Sequence, residues 1–153
     1  MDVTDSWDIA EHWYELLLDC IPVNEFCVAS FGRKPELFLS FDERDAAGKQ
    51  QTPFVVVEPM SDRDGIDIPH GTHAVLVALG IKDDSIQHDD QGRGVRTLGF
   101  KVLKEFEGVV RQAFMAGRYP LSDWQAENSH PGRHYFERHV FFTVNLPNTL
   151  GLT

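Results

Sequence analysis

The sequence predicts a two-layer α+β domain, an antiparallel sheet of about five strands with two helices on one face. The segment 134–146 alternates apolar and polar residues along most of its length, which is typical of a long strand with one buried side. The segments 6–19 and 98–116 instead repeat their apolar residues every three or four positions, which is typical of amphipathic helices.

Composition narrows the classes of protein to which the chain can belong. Its 153 residues and 42% hydrophobic content favour a single domain, 1–153, with a true core. A net charge of −10 argues against a nucleic-acid-binding surface over the whole molecule, because phosphate contacts need Lys and Arg. No apolar run reaches the ~18 residues of a membrane helix, and no signal peptide is recognisable, so we expect an intracellular, reducing compartment.

The first helix, 6–19, has an apolar residue at every fourth position. Asp5 or Ser6 is placed to cap its first turn, and Pro22 is incompatible with its continuation. The helix is followed by short aromatic-rich segments at 26–31 and 37–41, which predict a hairpin. The apolar stripe of the helix consists of Ile9, Trp13 and Leu17.

Two further strands are predicted at 54–58 and 73–81. Both are almost continuously apolar, which indicates strands that are covered on two faces. The second helix, 98–116, precedes Gly117 and Pro120, which favour its termination there. The residues predicted to be mostly buried are Trp13, Leu17, Phe106, Val110, Phe142 and Val144.

Long polar connections separate these elements, at 42–52, 59–72, 82–97 and 121–133. Two of them, 59–72 and 82–97, stand out, because connections of their length without periodicity are usually functional arms or disordered segments. We interpret 82–97 as an arm that becomes ordered on a neighbouring subunit. The residues predicted to lie at that interface are Arg93, Arg96, Asp89, Asp90, His70 and His73.

Histidine pairs are the first candidates for a metal site. His70 with His73, and His130 with His134, are spaced by three and four residues and could together form a tetrahedral site. Both pairs lie beside Gly and Pro in predicted loops, and no Cys or H-E-x-x-H pattern accompanies them. Loop or interface histidines are therefore favoured, and no cofactor is expected.

Other candidate chemistry is weaker. The acidic segment 62–67 loosely resembles a calcium loop but lacks the twelve-residue spacing and the terminal bidentate Glu. No Gly-x-Ser-x-Gly elbow is present, and 92–96 lacks the Lys-Ser/Thr of a phosphate loop. Cys20 and Cys27 have no cationic neighbour in sequence, so we predict reduced core thiols rather than a nucleophile, a disulfide or a metal pair.

The order of elements resembles that of the tail-terminator and tail-completion proteins of tailed bacteriophages. The resemblance implies a structural virion protein and no enzyme: a homo-oligomer, a hexameric ring that caps the tail tube. Its implied partners are the tail-tube protein and a head-completion or connector protein, with no membrane involved. The parts that carry the resemblance are the helix with Trp13 and Leu17, strands 54–57 and 74–79, helix 99–116 and strand 135–146.

The same resemblance implies a place in the virion, at the tail or neck, after assembly in the host cytoplasm. DNA would pass through the lumen of the ring without specific binding. The charge of −10 per subunit, repeated round a ring, would repel DNA from the lumen wall.

Alternative functions remain open at this point. One is a small metal-dependent enzyme or ligand-binding α+β domain that uses His70, His73, His130 or His134. Another is a small partner-binding regulator or immunity-like protein. Mass in solution, with metal analysis of the same sample, separates a ring from a metal-bearing monomer.

Overall fold

The computed structural model describes residues 4–40 and 51–147. It confirms the α+β class. The helices are α1 (Ser6–Leu18), α2 (Ile21–Phe31) and α3 (Gly99–Met115). The strands are β1 (Glu36–Leu39), β2 (Phe54–Arg63), β3 (His70–Lys82), β4 (Gln87–Asp89), β5 (Gly94–Arg96), β6 (Leu121–Gly132) and β7 (Tyr135–Pro147).

Five strands form the main sheet, in the order β1-β2-β3-β7-β6. All neighbours are antiparallel except β1 and β2, which are parallel. The C-terminal strand β7 is confirmed with its predicted faces: Phe142 opposes Val75 on one side and Trp124 on the other. Among the described strands, β4 and β5 pair only with each other, as a separate two-stranded sheet.

The core lies between one face of the sheet and the helices. Trp13 stacks on Phe114 with 4.3 Å between ring centroids and meets Phe142 edge-on at 5.7 Å. The helix α2 completes this layer through Phe26, whose ring lies 5.8 Å from that of Phe106 on α3. The six residues predicted to be buried are confirmed, since none is more than 1% exposed.

Helix α1 begins with a reciprocal cap. The Asp8 amide donates to the side chain of Asp5 at 3.0 Å, and the Asp5 amide donates back to Asp8 at 3.1 Å. Both carboxylates also lie near the positive end of the helix dipole, so they stabilise the start of the helix by hydrogen bonds and by their charge.

The hairpin predicted over 26–31 and 37–41 is wrong, because 26–31 belongs to helix α2. Pro22 does not interrupt a helix. It occupies the first turn of α2, where its missing N–H has no partner to lose. Gly32 closes the helix in a left-handed conformation, φ 82°, which glycine adopts without steric cost. The aromatic residues that suggested a strand pack instead against α3.

Strand β1 differs from the prediction in its pairing as well. It runs parallel to β2, with Phe38 opposite Val56, whereas the two strands of a hairpin are antiparallel. Of the predicted segments, Phe41 and most of the polar loop 42–52 lie outside the described residues.

The polar loop predicted at 121–133 is wrong, because β6 covers nearly all of it. This strand pairs with β7 on one side only, and most of its residues are exposed. An edge strand without a deeply buried face does not need alternating apolar residues, so its sequence lacks the pattern that predicts a strand. Register shifts occur near both of its ends, where bulges interrupt the pairing.

Strands β2 and β3 extend further than predicted and take up part of the loop 59–72. Phe54 to Val57 are buried on both faces of β2, as predicted, whereas β3 alternates between buried and half-buried residues. Gly80 has a steric role here, since a Cβ at that position would lie 2.1 Å from the Phe54 ring on the facing strand. Any larger residue would displace that ring.

Candidate assembly surfaces

The predicted arm at 82–97 is a small β-hairpin. His88 pairs with Val95 across β4 and β5, and the chain turns between them through three residues in left-handed conformations. A glycine supplies the last of these at φ 88°, where it carries no Cβ penalty. The three left-handed residues are Asp90, Gln91 and Gly92.

The two arginines of the arm are paired with carboxylates of the arm. The Arg96 guanidinium donates two hydrogen bonds to Asp89, at 2.8 and 3.0 Å, which raises the pKa of Arg96. Arg93 pairs with Asp90 across the turn. All four side chains are exposed, so these pairs contribute little to folding, and their four charges cancel one another.

The base of the arm is tied to the turn between β6 and β7. The Asp83 amide donates to the His134 carbonyl at 2.8 Å, and His134 Nδ1 lies 3.1 Å from Asp84 Oδ1. Lys82 lies over the Tyr135 ring at 5.9 Å from its centroid. His134, predicted to lie in a loop, therefore positions the root of the arm, while the tip projects away from these anchors.

Apolar side chains on the arm remain in contact with solvent. Ile86 is 51% exposed and Val95 is 62% exposed. Single exposed apolar residues are ordinary, but two on one short hairpin give it an apolar surface to bury against another molecule.

His70 and His73 lie in very different surroundings. His70 is exposed at the start of β3, whereas His73 is only 2% exposed and its Nδ1 lies 2.6 Å from Asp62 Oδ1. The Ser6 amide and hydroxyl donate to the same carboxylate at 2.7 and 2.8 Å. His73 therefore ties the start of α1 to the β2–β3 hairpin and has little surface to offer a partner.

Burial alone would raise the pKa of Asp62, but the hydrogen bonds from His73 and Ser6 outweigh it and hold that pKa below its ordinary value of 3.8. A carboxyl whose pKa is lowered in the folded state stabilises the fold at a pH above its ordinary pKa, and this stabilisation is lost as the pH falls through the pKa of the folded state.

We expect Asp62→Asn to lower the free energy of unfolding at pH 7, and the deficit relative to wild type to shrink below pH 3.8. Urea unfolding of both proteins along a pH series measures this difference in the free energy of unfolding. A difference that does not vary with pH would contradict the proposed role of the Asp62 hydrogen bonds.

The remaining histidines are dispersed. His130 stacks on Phe136 with 4.6 Å between ring centroids, and His134 faces Asp84. Within residues 4–40 and 51–147, no group of three or more His, Cys, Asp or Glu side chains is arranged to hold a metal ion. The acidic segment 62–67 gives no such group either, and Asp64 accepts a hydrogen bond from the Gly65 amide.

We expect metal removal to leave the melting temperature unchanged. A structural zinc contributes on the order of 10 kcal/mol, so stripping it would unfold a dependent domain. Thermal unfolding with and without a chelator tests this. A large drop that zinc restores, and that His70→Ala or His134→Ala abolishes, would instead favour the metal-dependent alternative.

The two cysteines are free thiols in the helical layer. Cys27 is buried in α2, not at the start of a strand as predicted, and burial raises its pKa to about 12. Cys20 is half-buried at the junction of α1 and α2.

An apolar groove of about 610 Å³ lies on the outer surface of the helical layer. It is bordered by the end of α1, the start of α2 and the second half of α3. Two residues next in sequence to its lining, Ile21 and Met115, are exposed. The lining consists of Gln112 and the apolar residues Leu16, Cys20, Pro22, Val109, Ala113 and Ala116.

The opposite face of the sheet combines an apolar centre with carboxylates. Strand register places Phe38, Val56 and Ala78 in one row on this face, followed by His139 and Glu127. Side chains on it alternate with those that face the helices. The carboxylates on this face are Glu36, Glu58, Asp123, Glu127 and Glu137.

No helix in the described part of the chain combines the length and apolar character needed to cross a membrane. No family model matches the sequence, and no curated protein matches it either. Among solved structures, the chain is similar to one from the virion of a native gene transfer agent particle. The TM-score is 0.56 at 13% identity, and the match covers 91% of this chain and 94% of that one. The two chains therefore share a fold along nearly their whole lengths.

Proposed function

We propose that this protein is a structural subunit of a tailed-phage-like particle, with the role of a tail terminator or tail-completion protein. The observation that carries the proposal is the fold shared with a chain of a gene transfer agent virion, over 91% of this chain. The element order that resembles tail-terminator proteins supports the finer assignment.

The projecting arm supports assembly into a ring. A cyclic homo-oligomer repeats one contact between two different patches, and a projection with a place to receive it is one such pair of patches. The arm supplies the projection, anchored at His134 and apolar at Ile86 and Val95. By the resemblance the ring is a hexamer that contacts the tail-tube protein on one side and a head-completion protein on the other.

The acidic face of the sheet fits the passage of DNA. In a ring with this face toward the lumen, the carboxylates would repel phosphates, and DNA would pass without specific binding. No cofactor enters this function, which depends on surface complementarity alone.

Charge reversal on the arm tests the proposal. In Arg93→Glu with Arg96→Glu, both ion pairs of the hairpin become pairs of like charges, so the arm should lose its shape while the body stays folded. We expect weaker assembly by light scattering, with an unchanged melting temperature of the monomer.

A matched control introduces the same change of net charge at a site outside the arm. Lys101 and Lys104 are exposed on α3, and Lys101→Glu with Lys104→Glu should assemble normally. Unchanged assembly of the arm variant, with a folded monomer, would show that the arm has no role.

A further inference from the structure

The strand β6 leaves one edge of the main sheet open. It pairs with β7 on one side, and among residues 4–40 and 51–147 no strand pairs with its other side. An open edge presents unpaired backbone N–H and C=O groups, which can pair with an added strand. The side chains of β6 are exposed except for those of Leu121 and Ala126, which are half-buried. The edge is therefore accessible to an extended segment of another chain.

The middle of this edge lacks the features that usually protect an edge strand. Bulges interrupt the pairing with β7 at 121–123 and at 129–132, and Pro131 lies within the second of these. Between them, 123–129 pairs with β7 without interruption and contains neither Pro nor Lys. This regular stretch is roughly 20 Å long, which is enough to pair with a strand of ordinary length.

Carboxylates determine which strands can pair there. Asp123 and Glu127 are exposed on the outer face of β6, and within the described part of the chain neither has an ion-pair partner. The residues of β7 opposite 123–129 on this face include no Lys or Arg: they are Glu137, His139, Phe141 and Thr143.

The charge of this face selects against a second copy of β6. Like charges that face each other across a strand pair are destabilising, and antiparallel pairing of two β6 edges would bring the carboxylates of both copies onto one face. An added strand with Lys or Arg opposite Asp123 and Glu127 would instead form favourable cross-strand pairs.

Trp124 provides the inner face of the edge with a contact for apolar side chains. Its ring is 43% exposed, and the Arg111 guanidinium lies 4.6 Å from the ring centroid. Ala126 follows on the same face and is half-buried. Trp and Arg are enriched among the residues that dominate binding energy at protein interfaces. Because Arg111 already orders the ring, Trp124 loses little conformational freedom when a partner covers it.

We propose that the β6 edge binds an extended segment of a different protein as an added strand. That segment carries Lys or Arg at its first and fifth positions, which lie opposite Asp123 and Glu127. Its second and fourth positions are apolar and lie beside Trp124 and Ala126, because successive side chains alternate between the two faces of a sheet. The proposal goes beyond the ring, since it names a surface for a partner other than a copy of this chain.

A cyclic β-hairpin peptide with the outer strand Lys-Val-Thr-Val-Lys is the probe. In calorimetric titrations we expect it to bind more tightly than the same hairpin with Glu in place of both Lys residues. Its binding should slow amide hydrogen exchange within 123–129 and not in β1, the other edge of the sheet.

Charge reversal on the edge should reverse the preference between the two hairpins. Asp123→Lys with Glu127→Lys should bind the Glu hairpin better, and should bind the Lys hairpin roughly tenfold more weakly than the wild type does. If the double variant does not fold, Glu127→Lys alone should shift the preference in the same direction. The matched control is Glu11→Lys with Glu105→Lys, which makes the same change of net charge at exposed helix positions and should keep the wild-type preference.

Several results would overturn the proposal. These are equal affinities for the two hairpins, no binding of either, slowed exchange outside 123–129, or an unchanged preference in a folded charge-reversed variant. Slowed exchange in 123–129 on assembly of the protein alone would assign the edge to a second copy and overturn the proposal as well.

Light scattering on the same samples separates this proposal from the proposed function. A ring that does not bind the Lys hairpin would overturn the role of the β6 edge and leave the ring intact. A monomer that binds the Lys hairpin within 123–129 would support the role of the edge and contradict the ring.

Discussion

Glu107→Ala is expected to lower the free energy of unfolding by about 3–5 kcal/mol, the range for breaking a buried charge pair. Glu107 is only 3% exposed on α3, yet it receives hydrogen bonds from two arginines. Arg138 on β7 donates at 3.2 and 3.3 Å, and Arg111 donates from the next turn of the helix. Removal of the carboxylate leaves two half-buried guanidinium groups without the charged acceptor that they share.

The cluster also joins the helical layer to the edge of the sheet. Arg138 donates to Asn128 on β6 at 2.9 Å, and Arg111 lies 4.6 Å above the Trp124 ring. Glu107→Ala should therefore loosen β6 in particular, which faster amide hydrogen exchange in that strand would reveal.

Glu105→Ala is the matched control, since Glu105 is an exposed carboxylate on the same helix. Its cost should stay within about 0.5 kcal/mol, as for most surface substitutions. Equal costs for the two variants in urea unfolding would show that the buried cluster adds nothing to stability.

Phe142→Ala should likewise cost about 3–5 kcal/mol, the range for truncation of a buried aromatic side chain. Phe142 is fully buried, and its ring meets those of Trp13 and Phe114 edge-on at 5.7 and 5.6 Å. Alanine would leave a cavity among rings contributed by α1, α3 and β7, with little freedom to collapse.

Phe141 provides the control one residue away. It is half-buried on the opposite face of β7, so Phe141→Ala should cost clearly less in the same urea titration. If the two substitutions cost the same, or if Phe141→Ala cost more, the register of β7 would be wrong.

The sequence predicts an element well where burial differs between its faces. The strand β7 alternates because Val140 and Phe142 face the helices while His139 and Thr143 do not. The helices α1 and α3 carry stripes for the same reason. The edge strand β6 has no buried face, so its exposed residues give no periodic signal.

Helix α2 was misassigned for a different reason. Its apolar residues surround the helix instead of forming one stripe, and Phe26 and Phe31 are of a residue type that is enriched in strands. The proline in its first turn marks the start of the helix, but a proline after one helix also marks that helix's end. Local sequence does not decide between the two meanings.

The candidate surfaces could be predicted only in part. The arm is evident from the length and polarity of 82–97, although its hairpin and its anchor at His134 depend on pairing between distant segments. The bonds of Asp62 to Ser6 and His73 span 56 and 11 residues and leave no local pattern. The groove is likewise formed by three helices whose contact no single segment specifies.

Solution mass tests the central claim most directly. Light scattering on the purified protein, alone and with a tail-tube partner, should give a cyclic multiple of the 17.4 kDa subunit, six-fold for the hexamer that the resemblance implies. A particle with a central opening should be visible in electron micrographs of the same sample. A stable 17.4 kDa monomer under every condition, with or without the partner, would contradict the account.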